Sequence, residues 1–133
     1  RNPPGEVWRM NCEPVVAAGQ ALLVDDGYTL DDTVSLIPTP GHSPCHCCVA
    51  IRSRGRRAIV TGDLMHHAMQ VMAPEWHTIF DWDAKQGIES RRRFLASVAD
   101  TGDLILPIHF PNPTAGTVNS GGPPGGYRWN FQT

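Results

Sequence analysis

Three polar residues stand out because each follows a run of strand-forming residues: His42 after Val34 to Ile37, Asp63 after Arg56 to Thr61, and His109 at the end of Asp103 to Ile108. Loops at strand ends are where α/β sheets display their sites. Neutral imidazole nitrogen and carboxylate oxygen are good ligands for zinc and similar borderline metals, and a carboxylate with two oxygens can bridge two ions. A metal held this way lowers the pKa of bound water toward about 7 and polarises a carbonyl or phosphoryl group. That is the chemistry of hydrolysis.

The elements that must position these residues are short. Gln20 to Val24 and Val34 to Ile37 read as strands, and Cys47 to Arg52 with Arg56 to Thr61 form a hairpin about Ser53-Arg54-Gly55. Asp83 followed by Ala84 to Ala99 predicts one substantial helix: Asp83 caps it, Gln86 stands three residues on, and Ala84, Ile88, Leu95, Val98 and Ala99 recur on one face. Arg91 falls on that apolar stripe, either as a substrate anchor or, on the commoner reading, as an arginine paired inside the fold. Asp103 to Ile108 is a continuous apolar run of strand length, as in a strand covered on both faces. Arg1 to Pro14 reads as an irregular lead-in, and Gly121 to Gly126 as a loop before Tyr127-Arg128-Trp129-Asn130-Phe131. Strands mixed with a helix predict a layered α/β fold.

Composition narrows the rest. At 133 residues the chain holds one domain, and 13 glycines with 12 prolines favour loops and turns over a helical bundle. A formal net charge of −2 is too near neutral to steer the chain onto nucleic acid or an anionic membrane. Its apolar runs fall far short of the ~20 residues of a spanning helix.

The local sequences around the three residues are more specific. Thr39-Pro40-Gly41-His42-Ser43-Pro44-Cys45-His46, Thr61-Gly62-Asp63-Leu64 and Leu106-Pro107-Ile108-His109-Phe110-Pro111 come in this order. They resemble the later metal motifs of the metallo-β-lactamase-fold hydrolases. Gly62-Asp63-Leu64-Met65-His66 and Gly126-Tyr127-Arg128-Trp129 are most similar to the branch containing lactonases and methyl parathion-type organophosphate hydrolases. The resemblance implies an α/β fold, the C-terminal half of an αββα sandwich with a mixed sheet and helices on its outer face. It implies two zinc ions in the complete domain, with His42 on the first, His109 on the second, and Asp63 bridging them as the catalytic carboxylate. A metal-bridging hydroxide would then attack an ester-like bond in a lactone, an organophosphate or a related small molecule. His66 would contact substrate; its bland alternative is a packed or solvent-facing ring. His46 matches a histidine that is not usually a ligand.

In such hydrolases half of the ligands come from an upstream His-x-His-x-Asp-His motif, which these residues do not contain. With Arg1 in place of Met, the expectation is a single incomplete domain, residues 1–133, whose isolated site binds metal weakly and is inactive. The rivals are a glyoxalase-type thioester hydrolase and a non-catalytic binding domain on the same scaffold. A third, a small zinc protein built on Cys45, Cys47, Cys48, His42 and His46, is disfavoured because neighbours on a strand point to opposite faces. Structural thiols are expected instead, and reduced cysteines lean toward the cytoplasm. The remaining expectations are a small-molecule partner and, from a sheet edge left open, dimerisation. Met69 to Trp82 is apolar without a clean period, as in the wall of a substrate pocket or in ordinary core. Asp81 and Asp83 flank Trp82, a carboxylate pair suited to acid/base work unless Asp83 is only the helix cap.

Overall fold

The computed structural model describes residues 5–122 and 126–132. Six strands make one mixed sheet in chain order: β1 (Val34–Pro38), β2 (Cys47–Ser53), β3 (Arg56–Val60), β4 (Leu104–Leu106), β5 (Gly116–Gly122) and β6 (Gly126–Phe131). Every neighbouring pair is antiparallel except β3 and β4. The β2–β3 hairpin forms where expected, because Arg54 (φ 50°) and Gly55 (φ 74°) both take the left-handed conformation that a two-residue turn needs to match strand twist.

A parallel pair requires the chain to cross back over the sheet. The crossover from β3 to β4 carries a 3-10 turn (Gly62–Leu64), α3 (Met69–Met72) and α4 (Ala84–Val98). The Asp83 carboxylate accepts the Gln86 N–H at 3.0 Å, capping α4 as its sequence predicts. Gly87, Ser90, Arg91, Phe94, Leu95 and Val98 are buried along one face of this helix. Phe94, Leu95 and Val98 pack on Cys48, Ala50, Ile59, Ile105 and Val118 of the sheet, with Leu64, Met65, Val71 and Phe110 closing the core.

Register aligns Leu36, Val49, Val60 and Leu106 across the other face of the sheet, beside a second row of Val34, Ile51, Ala58 and Leu104. These residues are apolar but only half-buried or exposed. Both faces of the central strands are therefore apolar, which is why their sequences run without polar alternation.

Several elements differ from the sequence-based expectation. Gln20 to Val24 is not a strand; Leu23 is 91% exposed, and nearby pairing with β1 is limited to a single bridge between Thr29 and Ser35, so no ladder holds the segment extended. Within the supposedly irregular lead-in, Glu6–Asn11 forms α1 and Glu13–Ala17 forms α2; residues 1–4 lie outside the described set. Pro14 does not break α2 because it sits in the first turn, where an N–H has no helical partner to lose. The Asp103 to Ile108 run keeps ladder pairing only over Leu104–Leu106, since Pro107 has no N–H to donate. Gly121, Gly122 and Gly126, read as loop, belong to β5 and β6, while residues 123–125 of that loop lie outside the described set.

Candidate metal centre

β1 and β3 each run antiparallel to β2, and β4 runs parallel to β3, so β1, β3 and β4 all point the same way. Their C-terminal ends lie together on one edge of the sheet. Leu36, Val60 and Leu106 share a register row, and His42, Asp63 and His109 follow within six, three and three residues. Topology thus brings the three sequence-predicted residues to one place.

The loop carrying His42 is tied down on both sides. Thr39 N–H donates to His46 O at 2.9 Å and Gly41 N–H to Ser43 O at 3.0 Å, closing the loop on itself. Ser90 Oγ of α4 donates to Pro40 O at 2.7 Å, and the N–H groups of Trp82 and Asp83 donate to His42 O and Gly41 O at 3.2 and 2.9 Å. Gly41 has φ 139°, a conformation side chains avoid.

Asp63 sits in the 3-10 turn after β3. Its N–H donates to His46 Nε2 at 3.1 Å, and the other nitrogen of His46 meets Thr39 O at 3.1 Å and Thr39 Oγ1 at 2.9 Å. With both nitrogens engaged, His46 ties two loops together and leaves no lone pair for a metal. Burial, reinforced by His42 nearby, lowers its pKa. A Cβ on Gly62 (φ 52°) would stand 2.9 Å from His46 Nε2, so glycine there lets the ring approach.

The carboxylate of Asp63 faces three imidazoles. Oδ1 accepts from His109 Nε2 at 2.6 Å and lies 3.9 Å from His66 Nε2; Oδ2 lies 3.4 Å from His42 Nε2. His66 stacks on His109, with centroids 4.7 Å apart and planes 13° apart. Donor atoms of His42, Asp63 and His66 all fall within 4.8 Å of one another. His66 thus closes a donor group with His42 and Asp63, while His109, expected in that place, joins through its hydrogen bond to Asp63 Oδ1. Burial alone would raise the Asp63 carboxyl, but the His109 hydrogen bond and the neighbouring imidazoles outweigh it and hold it below its ordinary value. Burial and the adjacent His109 lower His66, favouring the neutral ring that a ligand requires. Two imidazoles and a carboxylate at this spacing could hold a borderline divalent metal.

Other candidates separate from this cluster. Asp83 is the cap of α4, whereas Asp81 turns inward: its Oδ1 lies 3.2 Å from His42 Nδ1 and its side chain is 2% exposed. No spacing rule links two residues 39 apart, so sequence reasoning saw a carboxylate pair but not this contact. Arg91 is a structural residue, not a substrate anchor. It is 1% exposed and donates to Leu64 O (3.0 Å), Pro74 O (2.7 Å) and Trp76 O (2.6 Å), binding the crossover to α4. Cys48 is buried against Thr39 Oγ1 and Thr61 O, while Cys45 is exposed and Cys47 points to the other sheet face. Burial pushes the Cys48 thiol up to about 11, and the cysteine tract does not converge. Of the Met69 to Trp82 segment, Val71 joins the core, but Trp76, Ile79, Phe80 and Trp82 are exposed.

Comparison with known proteins identifies the family. The profile of the metallo-beta-lactamase superfamily matches residues 3–109. The chain belongs to the metallo-beta-lactamase superfamily. No curated protein matches it. Among solved structures, the hydrolase AbOPH of the beta lactamase superfamily is 28% identical, with a TM-score of 0.73 over 90% of this chain and 42% of its own. AidC, a dizinc quorum-quenching lactonase in complex with a product, is 22% identical, with a TM-score of 0.77 over 98% of this chain and 48% of its own. A probable metal-dependent hydrolase from Staphylococcus aureus is 20% identical, with a TM-score of 0.70 over 87% of this chain and 42% of its own. The chain thus spans less than half the length of each. Metallo-beta-lactamase membership agrees with the mixed sheet and its crossover helices. Among the described residues, no helix is long and apolar enough to cross a membrane.

Proposed function

We propose that this chain contributes His42, Asp63 and His109 to a zinc site of a hydrolase that cleaves ester-like bonds in lactones, organophosphates or related small molecules. The observation that carries this reading is the division of one carboxylate: Asp63 presents Oδ2 to His42 and Oδ1 to His109 and His66. Asp63, with His42 and His109 as nitrogen donors, would hold the metal, and a carboxylate with two oxygens could serve more than one ion. When bound, zinc supplies Lewis-acid polarisation of the substrate's reacting group and lowers the pKa of water.

The chain's own residues supply position. His46 fixes the backbone of Asp63 through its N–H, and the closed loop from Thr39 to His46 fixes His42. His66, kept neutral by burial and by His109, stands beside Asp63 as a third nitrogen donor or a hydrogen-bond partner for the substrate. The exposed Trp76, Phe80 and Trp82 give the segment that meets His42 through the Trp82 N–H an apolar surface, which suits a partly apolar small molecule. The half-buried apolar rows of the sheet favour self-association of the isolated chain.

Zinc affinity, measured by competition with a chromogenic chelator, tests the site. His42→Ala, Asp63→Ala and His109→Ala are each expected to weaken binding at least about tenfold. Equal affinity in all three variants and the native chain would overturn the proposal. The whole protein is expected to open lactones or cleave phosphotriesters in a substrate panel, with loss of turnover in Asp63→Ala.

A further inference from the structure

We infer that Asp81 is a positioning residue for His42, holding its ring in the tautomer that leaves Nε2 free to face Asp63. This rests on the reading of His42 as a metal ligand. His42 stands between two carboxylates, with Nδ1 3.2 Å from Asp81 Oδ1 and Nε2 3.4 Å from Asp63 Oδ2. A carboxylate oxygen only accepts, so the ring nitrogen that carries the proton chooses between them.

Burial decides the choice. The Asp81 side chain is 2% exposed and that of Asp63 is 36% exposed, so the charge of Asp81 is far less relieved by water. Its other oxygen, Oδ2, is buried with no hydrogen-bond partner, so the contact with His42 is the side-chain hydrogen bond of that carboxylate, with the charge of Arg91 acting on it from α4. Asp63 already takes a short hydrogen bond from His109. The proton therefore sits on Nδ1 and the Nε2 lone pair points into the cluster.

The surrounding backbone is built to hold this contact. Trp82 N–H, next along the chain from Asp81, donates to His42 O, and Asp83 N–H donates to Gly41 O. Two backbone bonds thus run beside the side-chain one, fixing the ring and its carboxylate in register. Gly87 of α4 lies alongside Oδ2, where even a Cβ would make only an ordinary contact of 3.6 Å. A carboxylate on the far nitrogen of a metal-binding imidazole fixes its orientation and raises its basicity, and losing such a partner commonly costs 10- to 100-fold in metal affinity.

The test pairs two readouts on the native chain, Asp81→Asn and Asp81→Leu. Long-range ¹H–¹⁵N spectra of the metal-free imidazole report the tautomer, and chelator competition reports zinc affinity. The native chain is expected to show the Nδ1–H form of His42. Asp81→Asn, whose amide oxygen still accepts, keeps that form and remains folded, with zinc binding weakened less than about tenfold. Asp81→Leu loses the preference and binds zinc roughly 10- to 100-fold more weakly. An Nε2–H tautomer in the native chain, or one unchanged in a folded Asp81→Leu, would overturn the inference. If the tautomer follows Asp81 while zinc affinity ignores His42→Ala, the metal site itself is wrong and the positioning role falls with it. The spectra then show which of the two failed.

Discussion

Gly41 packs against Gly87 so closely that a Cβ built on Gly41 would overlap the Cα and N of Gly87. The relationship is not reciprocal: a Cβ on Gly87 meets only ordinary contacts of 3.6 Å and beyond. Gly41→Ala must therefore move the His42 loop off α4, and its φ of 139° adds strain. The expected cost is about 3 kcal/mol or more, read as a fall in the urea midpoint. Gly87→Ala is expected to be neutral or to stabilise by up to about 1 kcal/mol through helix propensity. Equal effects of the two substitutions would contradict this packing.

Arg91 satisfies three backbone carbonyls from within the core. Arg91→Met keeps much of the apolar stem but strands those carbonyls, each at about 1–3 kcal/mol. A loss of at least about 3 kcal/mol in chemical unfolding is expected, with Arg91→Lys recovering only part, because an ammonium lacks the guanidinium's fixed fork. A loss below about 1 kcal/mol would show that the crossover does not depend on this residue.

Arg57 donates through Nε to Asp103 Oδ2 at 2.9 Å, and its Nη2 reaches the same oxygen. Burial by itself would raise the Asp103 carboxyl, but hydrogen bonds from Arg57 and Thr101 and the charge of Arg57 bring it below its ordinary value. A carboxyl lower in the folded chain than in the unfolded one adds stability above the unfolded value near ~4 and loses it as pH falls through the folded value. Unfolding free energy should thus drop as pH falls below the unfolded value near ~4, and Arg57→Gln should remove up to about 1 kcal/mol of that dependence. A pH profile identical in native chain and variant would refute the pair's role.

Cys48 and Cys45 should separate cleanly by alkylation. The Cys48 thiol is buried and pushed up to about 11, so almost none is thiolate at pH 8, whereas Cys45 is exposed. Mass mapping after brief iodoacetamide treatment is expected to find Cys45 modified and Cys48 intact until denaturant is added. Rapid labelling of Cys48 in the folded chain would mean that the β2 core opens readily.

The hairpin, the capped helix and the strand-end placing of His42, Asp63 and His109 were legible because each is written locally: turn chemistry at Ser53-Arg54-Gly55, a cap at Asp83, and polar residues at the ends of apolar runs. The β5–β6 hairpin was not, since its glycine-rich strands owe their pairing to backbone ladders rather than to side-chain pattern. Gln20 to Val24 failed in the opposite sense, carrying a strand-like composition with no ladder to join.

The sequence by itself determined which chemistry is available, because ligand type belongs to the residue and the motif order carries the family resemblance. Tertiary structure alone decided the partnerships. Asp81 and Asp83 look alike in sequence, yet one caps a helix and the other meets His42 across 39 residues. His66 and His46 each stand near the motif histidines, yet His66 enters the donor cluster while His46 is spent on Thr39 and Asp63. The physical reason is common to both pairs. A hydrogen bond or a ligand set depends on distance and burial, and those arise only when parallel-pointing strands bring separate loops to one edge of the sheet.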